Sequence, residues 1–234
     1  MVKQELIKRS PLRILEKSSH GGVQKGNVGV IAAEEGVGKT ACLVHIATDQ
    51  LLQGKHVIHV SFTGRTDHII SWYEDIFQEI SRRRHLESAM NVHDEIIKNR
   101  IIVNFVQHQV PISHVIERIE SLITQADFHA DCVIIDGYNF HEGKKEEIDE
   151  LRSFAGKAGL GIWFSAISHE PVRITGNDRV PTMLCDYLDF IDIVIVLEPR
   201  EGVIHLELVK DHQDMHATDL HLKLDSKVLL ITEE

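Results

Sequence analysis

The residues with the clearest capacity for chemistry lie in a short glycine-containing segment that joins an apolar run to a helical pattern. Small residues allow backbone amides to curl around phosphate oxygens, and the N-terminus of the following helix faces the same negative charge. Lys39 can reach the β- and γ-phosphates as a point charge, and the Thr40 hydroxyl can hold Mg²⁺. We therefore predict a nucleoside triphosphate site, and its binding residues in this segment are Glu35, Gly36, Val37, Gly38, Lys39, Thr40 and Ala41.

A second carboxylate is expected on a neighbouring strand, because a metal ion beside Thr40 and the phosphates needs an acidic partner. Residues 132–136 are four apolar residues followed by Asp136, about a hundred residues downstream. Asp189 and Asp192 precede their apolar run, which places them at the opposite end of a strand. We predict that Asp136 belongs to the nucleotide site and that Thr40 and Asp136 hold the metal. The alternative is that Asp136 only caps a turn.

The rest of the chain supplies the elements that must position these residues. Six nearly continuous apolar runs predict strands buried on both faces, at 27–33, 56–62, 100–106, 131–137, 160–167 and 192–198. Helical patterns lie near 39–53, 67–98, 111–126 and 145–158, and the second is expected to break into two helices around Arg84. This alternation predicts an α/β fold with a mostly parallel central sheet flanked by helices. Short alternating segments after residue 198 predict antiparallel C-terminal strands.

Length and composition limit the domain organisation and the partners. The chain has 234 residues, 43% hydrophobic and 26% charged, with a formal net charge of −11. This fits one large globular domain and excludes wholesale disorder. The negative charge argues against a broad basic face for binding nucleic acid phosphates. We expect an N-terminal arm over residues 1–25, with at most two turns of helix, and a nucleotide-binding domain over residues 26–234.

Three observations favour a cytoplasmic protein without a membrane partner. The longest apolar runs are far shorter than the roughly 20 residues that span a bilayer. Residues 1–19 are basic but lack the apolar core of a secretory signal. The cysteines, at positions 42, 132 and 185, are odd in number and widely spaced, which is typical of reduced thiols rather than disulfides or a zinc site.

Several of these segments resemble the RecA-like ATPases, and within them the branch that holds KaiC and the DnaB-type replicative helicases. The run Ala-Ala-x-x-Gly-x-Gly-Lys-Thr-Ala at 32–41 is typical of the helicases, and GGVQKGNVGVI at 21–31 is similar to KaiC. Weaker similarities follow in order as HVSFTGRTDHII, CVIIDGYNF, FSAISHE and PTMLCDYLDFIDIVIVLEP. The resemblance covers roughly residues 20–212. It implies a RecA-like core that binds ATP and Mg²⁺ and assembles side by side, with nucleotide near the subunit interfaces.

The departures from that branch bear on catalysis. Its second strand is followed by a glutamate that acts as general base, whereas the matching residues here are Thr63 and Gly64. Such a base contributes about 10²–10⁴ in rate. The branch also supplies a lysine and then an arginine from a neighbouring subunit; here Lys210 is kept and His212 replaces the arginine, which can be worth about 10³–10⁵. The resemblance therefore implies ATP binding with slow or absent hydrolysis, and the catalytic residue is unknown.

Three further groups each allow two interpretations. Glu34 and Glu35 could replace the missing base, or they could be solvated side chains that point away from the phosphates. Ser168 and His169 lie where relatives place a sensor of the γ-phosphate, or they cap a turn. Lys210 could act across an interface, or it could be a surface lysine.

Other polar clusters favour structural roles. The histidines at 212 and 216 have a spacing that binds metals on a helix, but they lie among strand and turn signals, where this spacing separates them. The arginines at 82–84 suit a helix end, with a contact to an acidic partner as the alternative. The loop 169–181 carries two arginines against two acidic residues, which disfavours direct DNA binding.

Two functions fit these observations. The first is a regulatory or assembly-linked ATP-binding protein that is at most a weak Mg²⁺-dependent ATPase, forms homo-oligomers through nucleotide-adjacent interfaces and acts on a protein partner. The alternative is an active oligomeric ATPase motor that acts on DNA or on a protein. A small-molecule kinase ranks last, because the only arginine run comes too early in the chain for a lid over the γ-phosphate.

Overall fold

A single mixed sheet runs through the computed structural model, which describes residues 2–62, 66–83, 89–105, 110–169, 180–216, 218–225, 228 and 230–234. Its strands are β1 Val28–Ala33, β2 Val57–Ser61, β3 Arg100–Asn104, β4 Cys132–Asp136, β5 Gly161–Ile167, β6 Ile193–Arg200, β7 Val203–Asp211, β8 Thr218–Leu224 and β9 Ile231–Glu233. They lie in the order β3-β2-β4-β5-β1-β6-β7-β8-β9. Strands β1 to β6 pair in parallel, and β7, β8 and β9 are added in antiparallel pairing.

Helices cover both faces of the parallel part of this sheet. They are α1 Val2–Lys8, α2 Leu12–Ser18, α3 Lys39–Leu52, α4 Thr66–Arg83, α5 Ala89–Lys98, α6 Ile112–Thr124 and α7 Lys145–Ala158, with a 3₁₀ helix at Thr182–Tyr187. Successive residues of a strand point to opposite faces, so each parallel strand contributes to two cores. One core lies beneath α3, α4 and α5, and the other lies beneath α6 and α7.

The predicted fold class is confirmed. Each of the six predicted apolar runs contains an observed strand, and the antiparallel strands follow residue 198 as expected. The helical pattern at 67–98 forms α4 and α5; Arg84, the expected break, lies outside the described residues. The 3₁₀ helix was not predicted, because its short segment lacks a helical repeat.

The N-terminal residues contain more helix than the sequence indicated. Instead of at most two helical turns, the structure has two helices of seven residues each, and seven residues make about two turns. The two helices are mostly polar, but Leu6, Leu12 and Leu15 are buried in the core beneath α3. Arg13 forms an ion pair with Asp49 of α3. A division of the chain at residue 25 stays a prediction.

The cysteines and the apolar helices agree with the composition. Cys42 and Cys132 are buried, and burial raises the pKa of each thiol to about 12, whereas Cys185 is exposed. Thiols with such a pKa are inert at neutral pH. Within the described ranges, no helix combines the length and hydrophobicity that crossing a membrane requires.

Candidate nucleotide site

The loop between β1 and α3 is shaped by two glycines. Gly36 has φ = 78° and Gly38 has φ = 114°, conformations that other residues adopt at a cost in backbone strain. Gly38 precedes the first residue of α3, and its carbonyl accepts the first hydrogen bond of that helix from the N–H of Cys42. The free N–H groups of the first helical turn therefore point toward the loop, which suits an anion.

Lys39 begins α3 and folds back over the loop. Its ammonium donates hydrogen bonds to the carbonyl oxygens of Ala33, at 3.1 Å, and Glu34, at 2.6 Å. Lys39 is 8% exposed, and burial lowers the pKa of its ammonium, although the nearby carboxylates of Asp136 and Glu35 act in the opposite direction. An ammonium has three donors, and these two carbonyls occupy two of them. Phosphate oxygens can therefore accept from this group.

Thr40 and Asp136 are brought together by the packing of α3 on the sheet. The Thr40 hydroxyl donates to Asp136 Oδ2 at 2.9 Å, and Asp136, the last residue of β4, is 3% exposed. Two neighbouring oxygen ligands of Mg²⁺, with bonds of about 2.0–2.1 Å, lie about 2.9 Å apart in an octahedral shell. The two residues predicted to hold the metal are thus spaced as such ligands are.

Ser165 is a member of this site that the sequence analysis did not single out. Its hydroxyl donates to Asp136 Oδ1 at 2.6 Å and accepts from the N–H of Gly137 at 2.8 Å. Thr40 and Ser165 therefore hold the two carboxylate oxygens of Asp136 from opposite sides. The available signal was a single serine inside the apolar strand β5, which means a polar side chain in the core.

A row of polar side chains extends from Asp136 toward the β3 edge of the sheet. Ser61 is the register partner of Asp136 on one side and of Asn104 on the other. Two residues before Ser61, the buried His59 shares a hydrogen bond with Tyr73 of α4, with 3.0 Å between Nδ1 and the phenol oxygen. Burial lowers the pKa of His59 to about 4, and its Nε2 has no hydrogen-bond partner in the described part of the chain. His59 is therefore a neutral core residue at neutral pH.

The other candidate residues of the loop and of the strand ends separate into two groups. Glu34 and Glu35 are exposed, which agrees better with solvated side chains than with a buried base. Ser168 is buried, and its N–H continues the β1–β5 pairing by donating to Ala33. The His169 ring stacks on His141, with 4.6 Å between the ring centroids. Residues 63–65 and 170–179 lie outside the described residues, and they include Thr63 and Gly64.

Lys210 is engaged within its own chain. It is 6% exposed, and its ammonium donates to the carbonyl oxygen of His212, so the surface-lysine interpretation is wrong. Burial lowers the pKa of this ammonium. The His212 ring contacts Asp211, with 2.7 Å between Nδ1 and Oδ1, and His20 of the N-terminal segment contacts the same carboxylate. A role of Lys210 in a neighbouring subunit stays a prediction.

Asp192 and the histidines of 212–216 lie in structural positions. Asp192 accepts the N–H of Val28 at the start of β1 and pairs with Arg152 at 2.8 Å, at the opposite end of the strand from the glycine loop. The segment after β7 is a turn closed by backbone hydrogen bonds between Asp211 and Asp214. This turn agrees with the expectation that the spacing of its histidines is not that of a helix.

Comparison with known proteins identifies the fold but not the activity. Neither a family model nor a curated protein matches this chain. The structure is similar to the solved ATPase domain of a DnaB-like helicase with a TM-score of 0.70, covering 96% of this chain and 90% of that chain, at 14% sequence identity. Because a fold hosts many activities, this similarity bears on architecture alone. The chain therefore has the RecA-like α/β fold, with a mostly parallel sheet that ends in antiparallel strands.

Proposed function

We propose that this protein binds ATP with Mg²⁺ in the loop between β1 and α3, and that the bound nucleotide controls its conformation or its assembly. Hydrolysis is slow or absent in this proposal. The observation that carries it is the meeting of Lys39, Thr40 and Asp136 at the carboxyl ends of β1 and β4, where open α/β sheets bind their ligands.

Each residue of the site has a role in this proposal. The amides of the loop from Glu35 to Gly38 and of Ala41 surround the phosphates, as the N-terminus of α3 favours negative charge there. Lys39 transfers its hydrogen bonds from the two loop carbonyls to phosphate oxygens. Thr40 and Asp136 hold Mg²⁺, directly or through water, and Ser165 fixes the orientation of the Asp136 carboxylate.

Slow hydrolysis follows from the residues that could activate water. The position of the general base in the resembling ATPases corresponds to Thr63 and Gly64, which cannot accept a proton near neutral pH. Of the acids in the loop, Glu34 and Glu35 are exposed to solvent. ATP binding needs neither a base nor an arginine finger, so the site retains what is required to sense nucleotide.

The alternative is an active oligomeric ATPase motor. One observation favours it: the similar structure is named as an ATPase domain. A net charge of −11 makes a protein partner a better candidate than nucleic acid for either function. In both cases we propose homo-oligomers with nucleotide near the interface. A cytoplasmic location stays a prediction.

Thermal unfolding with and without ATP and Mg²⁺ tests the binding site. A ligand at 100 times its dissociation constant stabilises the native state by about 2.7 kcal/mol, which for a chain of this size raises the melting temperature by about 5–10 °C. Lys39→Ala should lose most of this shift. Lys25→Ala, which removes an exposed lysine outside the loop, should keep it. An equal shift in Lys39→Ala and in the parent would show that the nucleotide binds elsewhere.

Steady-state phosphate release by the same proteins separates the two functions. The regulatory function predicts turnover well below about one per second, a common lower bound for working enzymes, with and without DNA. Faster release that disappears in Lys39→Ala would establish the motor function instead.

A further inference from the structure

A second group of metal-ligating side chains lies at the antiparallel end of the sheet. Asp219 and His221 are on β8, and Glu234 directly follows β9. One ligand atom from each of the three residues lies within 4.8 Å of the other two. Strands β8 and β9 form the edge opposite to β3, so this group is separate from the nucleotide site in the sheet order.

The backbone already holds these residues close together. The N–H of His221 donates to Asp219 Oδ1 at 2.7 Å, and the N–H of Glu234 donates to the carbonyl oxygen of His221 at 3.1 Å. Leu220 and Leu222 are buried beneath the same strand, so the intervening His221 side chain is on the outer face. The three ligand side chains are therefore accessible to an ion from solvent.

The remaining distances are those that an ion would close. His221 Nδ1 lies 3.8 Å from Asp219 Oδ2, which is too long for a hydrogen bond. In a tetrahedral site with bonds of about 2.0–2.2 Å, two ligand atoms lie about 3.4 Å apart. Small rotations of partly exposed side chains are sufficient to reach that geometry.

The neighbouring charges also favour a cation. His205 Nδ1 lies 2.6 Å from Glu234 Oε1, and this contact orients the carboxylate. Arg200, on the adjoining part of the sheet, is 2.5 Å from Glu198 Oε2 and 3.0 Å from Glu207 Oε1, so it already has two carboxylate partners. Lys223, also on β8, is the other neighbouring cation and brings a single charge.

We propose that Asp219, His221 and Glu234 bind a divalent transition metal ion of the Zn²⁺ class, with His205 as the residue that positions Glu234. An imidazole with two carboxylates favours such an ion over Mg²⁺ and Ca²⁺, which prefer oxygen ligands alone. The ion joins β8 to the residue after β9. Its structural effect is to hold the three-residue strand β9 in the sheet.

Calorimetric titration of the chelator-treated protein with Zn²⁺, in excess Mg²⁺ to occupy the nucleotide site, tests this proposal. We expect one Zn²⁺ per chain and a melting temperature that rises with Zn²⁺. His221→Asn and Glu234→Gln should each weaken binding more than tenfold, because loss of an outer-shell partner alone costs about 10–100-fold. Asparagine tolerates the left-handed backbone of His221, whose φ is 52°, so the strand is preserved.

Two further variants make the result specific. His205→Ala should weaken Zn²⁺ binding by at least about tenfold while the stoichiometry stays at one, as expected of a positioning residue. His216→Ala removes an exposed histidine outside the group and should bind Zn²⁺ like the parent. The absence of Zn²⁺ binding by the parent, or equal binding by the parent, His221→Asn and Glu234→Gln, would overturn the proposal.

Discussion

Replacing Ser165 with alanine removes the hydroxyl that holds one oxygen of the Asp136 carboxylate. That hydroxyl donates to Asp136 Oδ1 at 2.6 Å and accepts from the Gly137 N–H at 2.8 Å. Ser165 and Asp136 are 2% and 3% exposed, so water does not readily take the place of the lost group. The substitution therefore leaves a buried carboxylate oxygen and a backbone N–H with fewer partners.

Two magnitudes follow from this geometry. A buried hydrogen bond to a charged group contributes about 1.5–3 kcal/mol, and we expect the free energy of unfolding of Ser165→Ala to fall by that amount. Loss of an outer-shell partner lowers metal affinity by about 10–100-fold. The Mg²⁺ concentration that gives half-maximal ATP binding should rise by a similar factor.

Equilibrium ATP binding at a series of Mg²⁺ concentrations, with urea unfolding of the same samples, measures both effects. Ser153→Ala is the matched control, because Ser153 is an exposed serine on α7. If Ser165→Ala has the Mg²⁺ requirement of this control, Ser165 does not position a metal-binding carboxylate. A loss of stability without a change in Mg²⁺ requirement would confine Ser165 to a structural role.

Three other perturbations have expected outcomes. Because burial lowers the pKa of His59 from 6.5 to about 4, the unfolded chain takes up its proton first as the pH falls. The free energy of unfolding should therefore drop by up to about 3 kcal/mol between pH 6.5 and 4, and urea unfolding of His59→Gln should lack this component. Arg13→Ala leaves the buried Asp49 without its guanidinium partner, which should cost about 3 kcal/mol in urea unfolding. Adding Asp49→Asn should recover a large part of that loss; an unchanged loss would show that the arginine acts through packing. Thr63→Glu supplies the carboxylate of the resembling ATPases and should raise phosphate release at least tenfold, equivalent to about 1.4 kcal/mol of barrier. Unchanged release with unchanged ATP binding would contradict the alignment of the second strand.

The central part of the fold could be predicted because its signals are local. Strands buried on both faces need long apolar runs, and the loop that precedes α3 needs glycines at positions of positive φ, as at Gly36 and Gly38. Asp136 was accessible to prediction for the same reason, since the last residue of a buried strand lies at the edge of the sheet. These features are visible within a few residues of sequence.

The remaining site residues depend on strand order and register. Ser165 contacts Asp136 because β5 lies beside β4, and Ser61 lies beside Asp136 because β2 is on the other side. A sequence does not state which strands are neighbours. Lys210 is a similar case: β7 lies between β6 and β8, which buries a lysine that an edge strand would expose. The N-terminal helices depend on only three buried leucines, too few to stand out in a polar segment.

The most direct test of the proposed function is to identify the nucleotide that the protein retains. The protein is incubated with ATP and Mg²⁺ and separated from free nucleotide by gel filtration, and the bound fraction is analysed by chromatography. We predict about one nucleotide per chain, present mainly as ATP, and none on Lys39→Ala. A bound fraction that is mainly ADP after a short incubation, or nucleotide retained equally by Lys39→Ala, would contradict the proposal of an ATP-binding site with slow hydrolysis.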